Sequence, residues 1–135
     1  MYRFPLLVAL SLAVAALVAV PGAMAGARSK ALVSTVNVTA GKPSELAFQL
    51  STKSVKRGVI TFKITNKGKL SHDFKLCSKA SSSLANSCNG RSTAMISPGK
   101  SATLRVTVLV KGTYEYLCTV PGHAAAGMKG LITVT

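Results

Sequence analysis

The sequence predicts an all-β protein, a Greek-key β-sandwich of about seven to eight strands. Short segments in which polar and apolar residues alternate are typical of strands that are buried on one face. Turns containing Pro, Gly or Asn separate these segments at regular intervals. The chain has no convincing amphipathic helical pattern and no internal repeat, so a helical or repeat architecture is not expected.

The strands are assigned in chain order from this alternation. Ile60, Phe62 and Ile64 alternate with polar residues, as in a half-buried strand. The predicted strands cover residues 35–39, 45–50, 59–65, 72–77, 103–110, 114–120 and 131–134. Turns are predicted at residues 66–69, 97–100 and 111–113, and the Ser- and Asn-rich segment 78–92 is predicted to be a loop.

The first 25 residues have the features of a secretory signal peptide. Arg3 precedes the apolar segment 4–20, a Pro-Gly pair then interrupts it, and small residues stand at positions 23 and 25. We therefore assign residues 1–25 to a signal peptide, 26–34 to an N-terminal extension and 35–135 to one domain. The protein is expected to be exported to the periplasm or another extracytoplasmic compartment. Cleavage after Ala27 fits the same rule, and an uncleaved membrane anchor is the alternative, because residues 4–27 are uncharged and long enough to span a bilayer.

The composition excludes several classes of function. Lys and Arg number 17 against three acidic residues, giving a formal net charge of +14. Glu45, Asp73 and Glu115 form no carboxylate cluster in the sequence, so two-carboxylate hydrolysis and carboxylate-bound Mg²⁺ or Ca²⁺ are not expected. No phosphate-binding loop of the Walker type is present, which argues against nucleotide hydrolysis.

The residues with metal-binding chemistry form one ordered set. Cys118, His123 and Met128 are evenly spaced between the last two predicted strands, and His72 begins an earlier strand. One thiolate, two imidazoles and a thioether suit copper that cycles between Cu(I) and Cu(II). Each residue alone also has an ordinary interpretation as a buried thiol, a loop histidine or a methionine that fills a gap. The prediction of a copper site therefore depends on their occurrence together.

Segment 114–130 is similar to the C-terminal ligand loop of the cupredoxins, the type 1 or blue copper proteins that include plastocyanin and azurin. Its Cys-x₄-His-x₄-Met spacing is most similar to that of auracyanin and rusticyanin. Ser-His-Asp-Phe at 71–74, the Pro-Gly turn at 98–99 and the Gly-Thr-Tyr-x-Tyr-x-Cys approach also resemble the family. The resemblance covers about residues 35–135 and implies a cupredoxin-like domain with one mononuclear copper site. The implied ligands are His72, Cys118, His123 and Met128.

The resemblance implies a protein that is not an enzyme and that carries single electrons between redox partners. Multicopper oxidases and copper nitrite reductases have a His-Cys-His run, whereas Leu117 and Thr119 flank Cys118 in this chain. A copper carrier or storage protein of the cell envelope is the alternative function. Such proteins usually expose several Met or His residues, and the predicted domain has two of each, which favours electron transfer.

The residue after the first ligand departs from the family pattern. Many cupredoxins have Asn there, whereas this chain has Asp73. An ionised carboxylate accepts hydrogen bonds but cannot donate them. A hydrogen bond from the Thr119 hydroxyl to Asp73 would hold the ligand loop in the same way, so we expect these two residues to support the site from its second shell.

The two remaining cysteines are expected to form a disulfide. In an exported protein Cys77 and Cys88 should pair, leaving Cys118 for the metal. Two free thiols, a second metal site, or pairing of either residue with Cys118 are the alternatives. A bridge across so short a loop would contribute on the order of 3 kcal/mol in the chain-entropy description.

Small uncharged residues surround His123 and indicate where electrons would leave the protein. Pro121, Ala124, Ala125 and Ala126 would form a flat apolar surface beside the ring of His123. Tight packing of the loop is an equally simple explanation of the alanines.

The positive charge predicts the chemistry of the partners. A strongly basic domain attracts acidic proteins and anionic lipid head groups. We expect redox partners with acidic docking surfaces, a possible anionic membrane surface, and a monomer. Nucleic-acid binding is not expected, because the β-sandwich offers no stacking aromatic residues. A basic surface that only aids solubility is the alternative.

Overall fold

The computed structural model describes residues 32–135, so the predicted signal peptide and most of the predicted extension lie outside the described residues. This part of the chain forms two β-sheets and contains nine strands. The strands are β1 (Val33–Ala40), β2 (Phe48–Leu50), β3 (Ser54–Val55), β4 (Gly58–Asn66), β5 (Lys75–Ala80), β6 (Gly90–Ser92), β7 (Ser101–Val108), β8 (Gly112–Leu117) and β9 (Lys129–Val134). From residue 32 onward, no helix is long and apolar enough to cross a bilayer.

The two sheets confirm the prediction of an all-β sandwich. The first has the strand order β2-β1-β4-β7, and the second has the order β3-β9-β8-β5-β6. Both are mixed, because β1 pairs in parallel with β4, and β3 pairs in parallel with β9. The strands β3 and β6, with two and three residues, were not expected from the sequence. Segments so short cannot show a clear alternation.

Several strand boundaries differ from the sequence prediction around the metal-binding residues. The strand expected at 72–77 begins only at Lys75, because the backbone of His72 pairs instead with Ile96 in an isolated bridge. That strand continues to Ala80, and β6 lies inside the segment that was expected to be a loop. β8 ends at Leu117, so Cys118 stands just beyond a strand end rather than within a strand.

Aromatic side chains fix the position of the segment that carries His72. The ring of Phe74, two residues later, is fully buried between the sheets. Its centroid lies 5.0 Å from that of Phe62, 5.2 Å from that of Phe48 and 5.5 Å from that of Tyr116. Contacts of this kind contribute about 0.5–1.5 kcal/mol each beyond simple burial. The backbone at His72 and Asp73 is therefore attached to a buried aromatic cluster of the core.

The metal-binding residues gather at one end of the sandwich, which we call the ligand end. It comprises the connections 67–74, 93–100 and 118–128, which follow β4, precede β7 and follow β8. The opposite end holds the beginnings of β1 and β4 and the end of β7. There the N–H of Val59 donates to the carbonyl of Leu32, and Gly58 pairs with Val108.

Candidate metal centre

Three predicted ligands converge at the ligand end. The Nδ1 atoms of His72 and His123 lie 3.2 Å apart, and Cys118 Sγ lies 3.6 Å from His123 Nδ1. One donor atom from each residue falls within 4.8 Å of both others. Cys118 and His72 are buried, and His123 is partly exposed. The three side chains thus form a compact triangle of one sulfur and two nitrogen donors.

This triangle has the dimensions that a single transition-metal ion requires. In zinc sites, ring nitrogens lie about 2.0–2.1 Å and thiolate sulfurs about 2.3 Å from the ion. With angles of roughly 100–120° at the ion, two nitrogens are then about 3.1–3.6 Å apart, and nitrogen and sulfur about 3.3–3.8 Å apart. The observed 3.2 and 3.6 Å fall within these ranges. A His₂Cys set of this size fits copper.

Met128 closes the loop that carries Cys118 and His123. Its side chain is fully buried in the same core cluster as Cys118. The Met128 N–H donates to the His123 carbonyl at 2.9 Å, and the Met128 carbonyl accepts from the Cys118 N–H at 3.0 Å. Gly127 precedes it at φ 110°, a backbone conformation that favours glycine. These bonds fix Met128 beside both ligands of its loop, where its thioether is positioned to be the fourth ligand.

Burial changes the proton affinity of two ligands. Desolvation raises the pKa of the Cys118 thiol to about 11. Desolvation also lowers the pKa of His123, and the nearby His72 contributes in the same direction. A metal ion needs a thiolate and neutral imidazoles, so the protein already favours the form of His123 that binds metal, whereas Cys118 must lose a proton.

Asp73 and Thr119 connect the two ligand segments. One Asp73 carboxylate oxygen accepts the Thr119 backbone N–H at 2.6 Å, and the other accepts the Thr119 hydroxyl. Asp73 follows His72, and Thr119 follows Cys118. The pair therefore joins the backbones of two ligands that are distant in sequence, as the sequence predicted for Asp73 and Thr119.

Glu45 contacts a metal-binding residue in a way that the sequence did not indicate. Its Oε1 lies 3.1 Å from His72 Nε2, the ring nitrogen that points away from the other donors. The same carboxylate accepts the backbone N–H groups of Lys69 and Leu70 at 2.9 Å. These two bonds are the main reason that the pKa of Glu45 falls to about 2. Glu45 is far from His72 in sequence and in no motif, so no local signal indicated the contact.

Cys77 and Cys88 are joined in a disulfide, and Cys118 is the free thiol among the residues that the structure describes. The bridge also has a neighbour that the sequence did not predict. Cys77 forms a small buried cluster with Leu117 and Ala124, and Cys88 packs against it. The disulfide therefore packs against the ligand loop, the segment 118–128 that carries Cys118, His123 and Met128.

That cluster corrects one part of the predicted electron-exit surface. Ala124 is buried, because it packs on Leu117 and the disulfide, and it is therefore not part of the surface. Pro121, Ala125 and Ala126 are exposed beside the partly exposed His123. These three residues of the predicted surface are exposed, as expected.

The fold and the donor set define a β-sandwich protein with one mononuclear copper site. The profile of the family described as copper binding proteins, plastocyanin/azurin family, matches residues 34–135. The chain belongs to this family, which confirms the resemblance to cupredoxins. Copper is its cofactor, and His72, Cys118, His123 and Met128 are positioned as a type 1 site.

Individual relatives agree with this assignment. Auracyanin-B of Chloroflexus aurantiacus is 51% identical over 43 residues, which cover 32% of this chain and 18% of that protein. An auracyanin B structure has a TM-score of 0.62 at 28% identity and covers 78% of this chain and 91% of its own. Rusticyanin from Thiobacillus ferrooxidans has the same fold, with a TM-score of 0.60 at 24% identity, over 76% of this chain and 77% of its own.

Proposed function

We propose that this protein is an exported blue copper protein that carries single electrons between redox partners. The observation that carries the proposal is the preassembled His₂Cys triangle, with one imidazole at the surface and the other donors buried. Cupredoxins are copper proteins known as electron carriers, and bound copper supplies a one-electron Cu(I)/Cu(II) couple.

The protein's own bonds hold the donors in place. The pairing of His72 with Ile96, the Asp73–Thr119 hydrogen bonds and the closure of the ligand loop at Met128 each fix one ligand segment. Because these contacts do not depend on the metal, the donors need to move little when the copper charge changes. Small rearrangement is what a fast electron carrier requires, because it lowers the barrier to transfer.

The burial of the site favours an electron carrier over a copper carrier or storage protein. His72, Cys118 and Met128 are exposed by 0%, 1% and 0%. Transfer of copper between proteins requires an incoming ligand to reach the ion, and here the side chain of His123 alone reaches the surface. Met95 is the other methionine of the described residues, and it is an isolated exposed side chain.

The ligand end supports docking of a redox protein around His123. Pro121, Ala125 and Ala126 are exposed and uncharged there. Leu70 and Met95, which flank the backbone bridge between His72 and Ile96, are exposed by 49% and 55%. Exposed apolar side chains at the end that carries His123 are suited to a brief contact that excludes water.

The distribution of charge supports acidic partners. Asp73 and Glu115 are buried, with Glu115 accepting the N–H of Ala85, and Glu45 is bound to backbone groups and His72. Across residues 32–135, no Lys or Arg forms a salt bridge. The cationic side chains are therefore available to an external anion. Those at the ligand end are Lys67, Lys69 and Lys100, which are all exposed.

The opposite end supports association with an anionic lipid surface. Four aliphatic side chains there are 60–68% exposed, namely Leu32, Val33, Leu109 and Val110. Exposed Lys56, Arg57 and Lys111 lie among them. A soluble polyanion would use only the cations, whereas a bilayer surface also accommodates the aliphatic groups. We call these seven residues the basal patch, and in this arrangement the copper site would face away from the membrane.

Reconstitution with copper tests the electron-carrier proposal. Cu(II) added to the purified metal-free protein should produce an intense visible thiolate-to-copper band that is absent in Cys118→Ser. The copper should then be reduced and reoxidised repeatedly at an electrode without loss to a Cu(I) chelator. A colourless complex would contradict the site, and rapid loss of Cu(I) to the chelator would favour a copper carrier.

A further inference from the structure

Glu45 belongs to a part of the chain that contributes no metal ligand, yet it contacts His72 directly. It lies in the connection between β1 and β2, and the Lys69 and Leu70 N–H groups hold its carboxylate in place. The carboxylate oxygen is 3.1 Å from His72 Nε2. Its side chain is 33% exposed, so one edge of the group faces solvent and the other faces His72.

The backbone at residues 66–70 leaves space for the carboxylate of Glu45. A Cβ atom at Gly68 would overlap Glu45 Oε1 and would also approach His72 Nε2 to 3.1 Å. Glycine at this position is therefore required for Glu45 to reach the ring. The Asn66 side chain accepts the Gly68 N–H and donates to the Leu70 and Ile96 carbonyls, which fixes the turn around Glu45.

The contact sets the tautomer of His72. An ionised carboxylate can only accept, so Nε2 carries the proton and donates it to Glu45. Nδ1 then keeps its lone pair and points toward Cys118 and His123. Carboxylate groups in this position orient ligating histidines and raise their basicity. The negative charge near the site also favours the more highly charged state of a bound metal ion.

We propose that Glu45 is a positioning residue that orients His72 and lowers the reduction potential of the bound copper. Glu45 would affect the potential of copper bound at the site of the proposed electron carrier. Only the biological use of this effect rests on that proposed function. Gly68 contributes to the same positioning, because the absence of a side chain there leaves space for the carboxylate. The residue acts through His72 and touches no other donor among the contacts that the structure gives.

The test is the reduction potential of Glu45→Gln, measured by voltammetry on the copper-loaded protein. Gln keeps the shape and loses the charge, so the potential should shift to a more positive value while the visible thiolate band is retained. The control is Thr103→Lys, on the exposed face of β7 and outside the ligand end, which changes the net charge of the protein by the same amount. A shift in Glu45→Gln no larger than that of the control would overturn the proposal.

A second variant and a second measurement distinguish an effect of Glu45 on the reduction potential from a purely structural role. Gly68→Ala should displace the carboxylate without removing it and should also shift the potential positively. In the Cu(I) protein, the His72 Nε2 proton should exchange with water faster in both variants than in the native chain, as seen by imidazole NMR. If Glu45→Gln fails to bind copper, an unshifted potential in Gly68→Ala overturns the proposal. A protein that reacts with no redox partner would count against the carrier role, but the potential at an electrode would still test Glu45.

Discussion

The carboxylate of Asp73 receives two hydrogen bonds from Thr119, one from its backbone N–H at 2.6 Å and one from its hydroxyl. The two residues are 46 positions apart, and each directly follows a metal ligand. The contact therefore fixes the separation of His72 and Cys118 before any metal is bound. Asp73 is 4% exposed, so water cannot readily replace a bond that is lost.

Removal of the Thr119 hydroxyl should destabilise the protein and loosen the site. Thr119→Val leaves one buried carboxylate oxygen without its partner, at a cost of about 1.5–3 kcal/mol for a hydrogen bond to a charged group. Urea unfolding of the metal-free protein measures the loss. Thr119→Ser keeps the hydroxyl and should lie close to the native stability; equal losses in the two variants would show that the bond is unimportant.

The Cys118 thiol of the metal-free protein should react slowly at ordinary pH. Burial raises its pKa from 9.0 to about 11, so the thiolate at pH 8 should be about a hundredfold less abundant than in an ordinary cysteine. The rate of alkylation by iodoacetamide should rise as the pH approaches 11, and copper should block the reaction. The urea-unfolded chain provides the control. A native rate that levels off near pH 9 would contradict the shift.

Loss of the disulfide should reduce stability and disturb the ligand loop. The double variant Cys77→Ala, Cys88→Ala should lower the unfolding free energy by on the order of 3 kcal/mol. Because Ala124 packs on the bridge, hydrogen exchange should also increase at residues 122–126. Peptide mapping of the unreduced native protein should link Cys77 to Cys88. Unchanged exchange in the ligand loop would show that Ala124 does not depend on the bridge.

Electron exchange with an acidic redox protein should slow as salt increases. Screening weakens the attraction of opposite charges, with a Debye length of ~8 Å at physiological ionic strength. Ala125→Glu should slow the reaction further at low salt with an unchanged visible spectrum, because residue 125 is exposed beside His123. Thr103→Glu changes the charge equally on the outer face of β7 and should have a smaller effect. Equal rates for the two variants in stopped-flow measurements would place the docking surface elsewhere.

The basal patch should bind anionic vesicles. Chains without residues 1–25 should sediment with mixed phosphatidylglycerol and phosphatidylcholine vesicles and not with phosphatidylcholine alone. Lys111→Gln should weaken binding about fivefold, corresponding to about 1 kcal/mol per charge near the surface. Leu109→Ser with Val110→Ser should weaken it as well.

Two matched variants identify the binding face. Lys63→Gln removes one charge from the outer face of β4, and Leu70→Ser with Met95→Ser removes two exposed apolar groups from the ligand end. Both should leave vesicle binding near the native value. Equal losses from Lys63→Gln and Lys111→Gln would show that the attraction is general and that the basal patch has no special role.

The sequence was sufficient for the sandwich and the copper ligands, because both depend on local patterns. Alternation predicts β4 and β7, and the ligand order of Cys118, His123 and Met128 indicates the metal. The same local information missed β6, which pairs with β5 across the polar loop, and it placed Ala124 on the surface. Whether a small apolar residue is exposed depends on what the fold brings behind it, here the disulfide. Glu45 was missed for the same reason, because its contact with His72 arises only from tertiary packing.

The location of Glu45 also separates the set of copper ligands from a residue that adjusts the reduction potential, so the two can change independently. The donor atoms come from the connections after β4 and β8, whereas Glu45 comes from the connection before β2. A substitution in that one connection can therefore adjust the driving force for electron transfer while the donor set stays intact. During evolution, the chain could match new redox partners by such changes without passing through a form that has lost its copper.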